Sequence, residues 1–396
     1  MSDTARKRAT ATQLAHVGRT SAKHDGFVNT PVYRGSTVLH PDVATLKSGA
    51  MPTTYGRRGS PLVRGLEEQI ALLEGGASTV MVPSGLSAVT STLIALVHSG
   101  DHILMVDSVY KPTRMFCETV LRRLGVETEY YDPLIGEGIA DLLRENTRLV
   151  YTESPGSQTF EVQDLPAIAA AAHARNALVV LDNTWASPLY FKSFTHGADV
   201  SIQAATKYIV GHSDAMLGSV TMTDALVGTL DRDLDLLGNC AGTEEIYLGQ
   251  RGMRTIAVRL RQHWESGLTV ARWLQQHPLV ERVLHPALES HPQHALWSRD
   301  FEGASGLFSF LLPAASDAAL AAMLDTMELF GMGYSWGGFE SLAVPFDPRS
   351  YRTATTWPHA GHAIRLHIGL EDPGDLISDL EAGLARFDAA RGHGDT

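Results

Sequence analysis

Two stretches decide the fold: residues 178–185, LVVLDNTW, and residues 200–214, VSIQAATKYIVGHSD. Leu178–Leu181 and Val200–Gln203 each read as a short buried strand, and each leads directly into a residue with chemistry, Asp182 in the first stretch and Lys207 in the second. The same alternation extends outward. Thr79–Val82 is an apolar run that ends in Pro83-Ser84-Gly85, and a helix-compatible stretch, Ser87–Leu96, follows it. His102–Val106, Arg148–Thr152 and Leu217–Met222 read as further strands. Asp164-Leu165-Pro166 opens a helix with a cap and an early proline, and Ala167–Ala174 continues it. Strands recurring between helices imply an α/β fold, a parallel or mixed sheet covered on both faces. Ligands of such sheets gather at the carboxyl ends of the strands.

Three regions follow. Residues 1–60 are rich in Thr, Gly, Pro and Arg with little periodicity, and read as an extended arm. Residues 61–242 hold the strand–helix alternation. From residue 243 to 396 the character shifts to a long helix from near Met253 to Gln276, then strands at Leu307–Leu312 and Arg365–Ile368, a smaller α+β domain.

Composition narrows the function classes. The chain has 396 residues and a net charge of -12, with 32 basic against 44 acidic residues. That balance argues against nucleic acid as a partner, and the one basic cluster, Arg6-Lys7-Arg8, reads as a solvated tail. Cys117 and Cys240 sit in no Cys/His cluster, so neither a disulfide framework nor a zinc site is expected and a reducing, cytoplasmic location is. No run of about 18 apolar residues suggests a membrane span, and the N-terminus lacks the apolar core of a signal peptide.

A lone Asp at a strand end is ordinarily a cap, and a lone Lys is ordinarily surface charge. Together, closing neighbouring strands of one sheet, Asp182 and Lys207 match the needs of pyridoxal 5′-phosphate (PLP). A lysine holds its aldehyde, and a carboxylate keeps its pyridine nitrogen protonated. The phosphate needs an anion site, and the turn Pro83-Ser84-Gly85-Leu86-Ser87 supplies one, with free amides at a helix start. Thr206 adds a hydroxyl beside the lysine.

PSGLSA, DNTW and QAATKYIVGHSDAMLGS resemble the Cys/Met-metabolism group of PLP-dependent enzymes, from about Tyr33 to about Phe387. The resemblance implies the aspartate-aminotransferase-like fold (fold type I), with a large mixed-sheet domain and a smaller C-terminal α+β domain. It implies Lys207 as the covalent cofactor lysine, Asp182 as partner of the ring nitrogen, and Tyr110 in DSVYKPTR as the ring-stacking residue that can assist proton transfer. It implies cofactor contacts from Gly85, Leu86 and Thr206, and from Tyr55 and Arg57 in TYGRRGSP reaching the phosphate of a neighbouring subunit. Arg365 in IRLHIGLED matches the clamp on the substrate α-carboxylate, with Ser335 of YSWGGFES beside it. A homotetramer built from two active-site dimers is the implied assembly.

Within the group, Trp185, Trp336, SPGSQTFEVQD and RLRQH resemble the bacterial cystathionine β-lyases. Ala204 stands where many relatives have a phosphate-binding Ser. Arg58, Tyr334 and Trp336 are candidates for shaping the distal pocket. Met115 replaces an acidic residue of some β-lyases, and Ala343–Trp357 fits the family least well. The expected reaction is β-elimination of cystathionine to homocysteine, pyruvate and ammonia, with Lys207 as the α-proton base. The rival readings are a γ-lyase or γ-synthase, a β-lyase of other S-substituted cysteines, and a PLP-binding regulator. A nicotinamide dehydrogenase is disfavoured, because GEGIAD at Gly136 lacks the third glycine.

Overall fold

Seven strands assemble into one sheet in a computed structural model that describes residues 8–392. They are β1 (Ser78–Val82), β2 (His102–Val106), β3 (Glu127–Tyr131), β4 (Thr147–Glu153), β5 (Leu178–Asp182), β6 (Val200–Gln203) and β7 (Gly218–Met222), in the order β1-β7-β6-β5-β4-β2-β3. β3, β2, β4, β5 and β6 pair in parallel, and β7 alone runs against its neighbours β6 and β1. All five residues of β2 are buried, the signature of a strand covered on both faces. A second sheet follows, wholly antiparallel: β8 (Arg282–Leu284), β9 (Leu307–Leu312), β10 (Leu342–Phe346) and β11 (His362–His367), in the order β10-β11-β9-β8. The mixed large sheet and the smaller second sheet expected from the sequence are both present.

The helices start and stop where local chemistry dictates. Ser60 caps the helix Pro61–Glu74, whose proline lies in the first turn, and Gly75 ends it in a left-handed conformation (φ 79°). Ser84 Oγ accepts the Ser87 amide at 3.0 Å and caps Gly85–Leu96. Asp164 caps Leu165–His173 as expected.

Several elements depart from the sequence reading. The long helix expected from near Met253 to Gln276 is present as Ile256–Gln276, but a separate helix, Thr243–Met253, precedes it and was not read. β3, β8 and β10 were not legible. β3 is a half-exposed edge strand of sequence ETEYY, β8 has only three residues, and β10 carries Pro345, which edge strands tolerate. β11 begins at His362, three residues before the expected start.

Trp185 joins the two sheets. It is buried, its indole N–H donates to the Leu307 carbonyl of β9 at 2.8 Å, and its ring meets Phe301 edge-on at 6.1 Å. In residues 8–60, the helix Thr10–His16 is tied down by Arg254, which donates to the Leu14 and Val17 carbonyls at 2.6 and 2.8 Å. Beyond it the chain runs exposed, and the helix Val43–Ser48 buries no residue. No helix among the described residues is long and apolar enough to cross a membrane.

Candidate active site

β4 and β5 end side by side, and their last residues, Glu153 and Asp182, are register partners. Asp182 Oδ1 accepts the Thr184 amide at 3.0 Å and the Thr184 hydroxyl at 2.5 Å. The Thr184 hydroxyl oxygen in turn accepts the Ala204 amide at 2.9 Å. A short relay therefore ties the β5 carboxylate to the turn that carries Lys207. Burial raises the Asp182 pKa, opposed by the Thr184 bonds and by the Lys207 charge.

Lys207 lies in the connection between β6 and β7. Burial, seconded by the Arg365 charge and opposed by Asp182, pulls its amine down to about 8. Its Nζ donates to Ser335 Oγ at 2.5 Å and lies 5.3 Å from the centroid of the Trp336 ring. The Ser335 carbonyl accepts Arg365 Nη2 at 2.9 Å, so one residue carries both the amine and the guanidinium. Ser335 holds an uncommon φ of 81° for a side-chain residue, and such outliers persist where their surroundings fix them. The fixing is visible. A Cβ on Gly337 would stand 3.0 Å from Lys207 Cα, and the Gly337 amide donates to His367 Nε2 at 3.1 Å. Arg365, 8% exposed on β11, has its pKa drawn down to about 10 by burial.

Tyr110 is half-exposed, and its backbone N–H donates to Glu153 Oε2 at 2.8 Å. Burial and the Glu153 and Asp182 charges raise its phenol, while Arg365 opposes them. Burial, then the neighbouring Asp182 charge, lifts Glu153 well above the usual carboxylate range. Of the two acids Asp182 has more to offset burial, the two Thr184 donors and the lysine, where Glu153 has the Tyr110 amide. Glu153 escaped the sequence reading, although it closes β4 just as Asp182 closes β5.

The phosphate turn is built as expected. Among the described residues, the Gly85 and Leu86 amides have no acceptor within the chain, as the first turn of a helix leaves them. A Cβ on Gly85 would stand 2.5 Å from Ala204 Cβ. Glycine is therefore required where the cradle meets the lysine turn, and Ala204 fills the facing position. Thr206 lies beside the lysine with its hydroxyl committed to Leu217, donating to the carbonyl at 3.1 Å and accepting the amide at 2.9 Å.

Lys207, Asp182, Tyr110, Ser335, Trp336 and Arg365 thus come together. Tyr334, 89% exposed, lies within electrostatic reach of Arg365. Among the described residues no hydrogen bond or ion pair links Tyr55 or Arg57 to this cluster. Tyr55 is half-exposed, and Arg57 pairs with Asp235 of its own chain, donating also to the Asp235 carbonyl at 2.8 Å. The Arg58 side chain lies outside the described residues, as do Arg6 and Lys7 of the basic cluster.

The residues present fit PLP. The lysine has a depressed pKa, a shielded carboxylate lies beneath it, a tyrosine lines the cleft, and unpaired helix amides suit a phosphate. They also fit an amino acid, whose carboxylate the buried Arg365 can take in bidentate fashion.

Comparison with known proteins points the same way. The profile of the family described as Cys/Met metabolism PLP-dependent enzyme matches residues 11–385. A putative cystathionine beta-lyase of Rhizobium johnstonii is 50% identical over 385 residues, 96% of each chain. The cystathionine beta-lyase of Escherichia coli is 45% identical over 387 residues, 95% of this chain and 98% of that one. Among solved structures, the cystathionine gamma synthase of Xanthomonas oryzae pv. oryzae in complex with aminoacrylate and cysteine superposes with a TM-score of 0.89. It is 31% identical, covering 97% of this chain and 99% of that one.

Proposed function

Since this chain belongs to the Cys/Met-metabolism family of PLP-dependent enzymes, with their fold type I architecture and PLP as cofactor, we propose that it is a carbon–sulfur lyase that cleaves L-cystathionine by β-elimination. The products are homocysteine, pyruvate and ammonia, which places the reaction in methionine biosynthesis. The observation that carries the reading is the sharing of Ser335 by Lys207 and Arg365. It sets a base beside a carboxylate clamp, the arrangement needed to take a proton from the α-carbon of a bound amino acid. Identity of 45–50% to relatives named cystathionine beta-lyase supports the choice of β-elimination within the family.

The residues would take these roles. When bound, PLP supplies the electron sink for the charge released at the substrate α-carbon. Lys207 Nζ holds the aldehyde at rest, takes the α-proton once freed, and can return a proton to the departing sulfur. Asp182, braced by Thr184, holds the proton on the ring nitrogen. Tyr110 would stack on the ring of bound PLP, and its phenol, protonated at neutral pH, could pass a proton to the leaving thiolate. Gly85 and Leu86 donate their amides to the phosphate, with Thr206 alongside, and Tyr55 and Arg57 reach the phosphate of a neighbouring subunit. Arg365 grips the α-carboxylate, Ser335 lies beside it, and Trp336 with Tyr334 would border the far end of the substrate, where the resemblance also puts Arg58.

The test is the product set. Holoenzyme given L-cystathionine should release pyruvate and homocysteine in equal amounts. Oxobutyrate with cysteine would move the chain to γ-elimination, and no keto acid at all would remove cystathionine as substrate.

A further inference from the structure

The outer rim of the cleft carries a cation that these roles leave unused. Lys111 follows Tyr110 and opens the helix Lys111–Phe116, and its ammonium lies 5.5 Å from the centroid of the Tyr351 ring. A ring face attracts a cation without neutralising it. Among the described residues no carboxylate pairs with Lys111, and Met115, one helical turn onward and also exposed, adds no charge. The rim is therefore positive.

The surface that presents Tyr351 is fixed by buried ions. The Tyr351 hydroxyl donates to Gln158 Oε1 at 2.9 Å. The Arg352 side chain, 4% exposed, meets Glu161 at 2.8 Å. Asp107, fully buried at the end of β2, accepts the Thr353 amide at 3.0 Å, the Thr355 amide at 2.8 Å and hydroxyl at 2.6 Å, and Arg114 Nη2 at 2.6 Å. Charges taken out of water are tolerated only when fully paired, and such sets fix one geometry more than they add stability. Here they fix the stretch Tyr351–Thr355, part of the segment least like the rest of the family, as a wall beside Tyr110. Tyr110 is the chain neighbour of Lys111, and the Arg365 charge acts on its phenol. Tyr110 is thus tied to two cations, to Arg365 by charge and to Lys111 along the chain.

We propose that Lys111, seated on Tyr351, reads the far end of the substrate and gives the enzyme a preference for amino acids with a second carboxylate. The inference rests on Arg365 holding the near carboxylate of an amino acid, but not on which bond breaks. Its test therefore reads binding without turnover, and a failure to release pyruvate from cystathionine would leave it standing. L-2-Aminoadipate and L-norleucine have side chains of equal length, only the first ends in a carboxylate, and neither carries a leaving group. Calorimetry on the holoenzyme should show tighter binding of aminoadipate. Lys111→Met should reduce that preference roughly five-fold, the size expected of a partly solvated charge pair, and Lys111→Arg should restore it. Raising salt to about 0.5 M should shrink the wild-type preference. Equal affinities in the wild type, or a preference that survives Lys111→Met, would overturn the assignment.

Discussion

At the residue scale the site turns on the charge state of Lys207. Its amine is drawn down to about 8, first by burial, then by Arg365. Only the neutral amine can attack an aldehyde, so the rate at which the cofactor-free protein takes up PLP should fall by about ten-fold per pH unit as the pH drops below that value. Arg365→Gln removes a charge that disfavours the ammonium, so the limb should move to higher pH in the variant. A limb that stays in place would assign it to another group. Lys207 and Asp182 were legible as a lysine and an acid that close apolar strands, whereas Tyr110 and Arg365 could be picked out only through the family resemblance, an Arg opening a strand having no distinct chemistry of its own. The part of Ser335 in joining Lys207 and Arg365 was not legible, since it depends on a left-handed backbone that the letters YSWGGFES do not announce. Glu153 was legible in principle, as an acid ending an apolar run, but its importance comes from the register that sets it beside Asp182.

At the scale of elements, two contacts hold helices to the sheet at positions that matter. The start of Gly85–Leu96 abuts Ala204 so closely that Gly85→Ala must push the cradle from the lysine turn. Overpacking of this kind costs about 1–3 kcal/mol, so the variant should retain PLP about ten-fold less well on dialysis, followed by its absorbance. Retention equal to wild type would show that the cradle yields freely. The helix Pro61–Glu74 ends on Glu74, 1% exposed, which accepts from Ser201 and Gln203 at 2.9 Å each and from Ser193 at 3.2 Å. Burial raises its pKa from 4.5 to about 7. Between those values the folded protein holds a proton that the unfolded chain has lost, so stability falls as pH rises through that window. Glu74→Gln should lessen that fall, by an amount on the order of 2–3 kcal/mol, in denaturation curves at pH 5 and pH 8. Identical pH dependence in variant and wild type would sink the attribution. Among the elements themselves, runs with both faces buried, such as β2 and β5, were legible. β3, β8 and β10 were not, because the first is half-exposed, the second has three residues and the third carries a proline.

Across the whole molecule, the arm before Gly59 exposes Phe27, Leu39 and Val43 at 70%, 84% and 64%. Runs of bare apolar side chains mark surfaces that other molecules cover. We propose that a second copy covers them and receives Tyr55 and Arg57, and that dimers of this kind pair further into a tetramer. Sedimentation should then show an oligomer that Leu39→Glu with Val43→Glu reduces in size, and a monomeric wild type would refute the assembly. The division of the chain near residue 242 is likewise a proposal, which limited proteolysis can examine.

Lys207 stands on a platform stitched on both sides. The Thr206 amide donates to Leu217, Lys207 to Ala204, Val210 to Ala205 and Gly211 to Lys207. The facing turn is unstitched, for between Met332 and Gly338 only the Gly337 amide has an acceptor among the described residues. Deuterium in the solvent should therefore enter residues 332–338 rapidly, while residues 206–211 stay protonated until much larger openings occur. A saturating amino acid should slow uptake in the first stretch and leave the second unchanged, making the clamp side the half of the cleft that responds to its occupant. Equal uptake on the two sides would mean that the platform opens as readily as the turn.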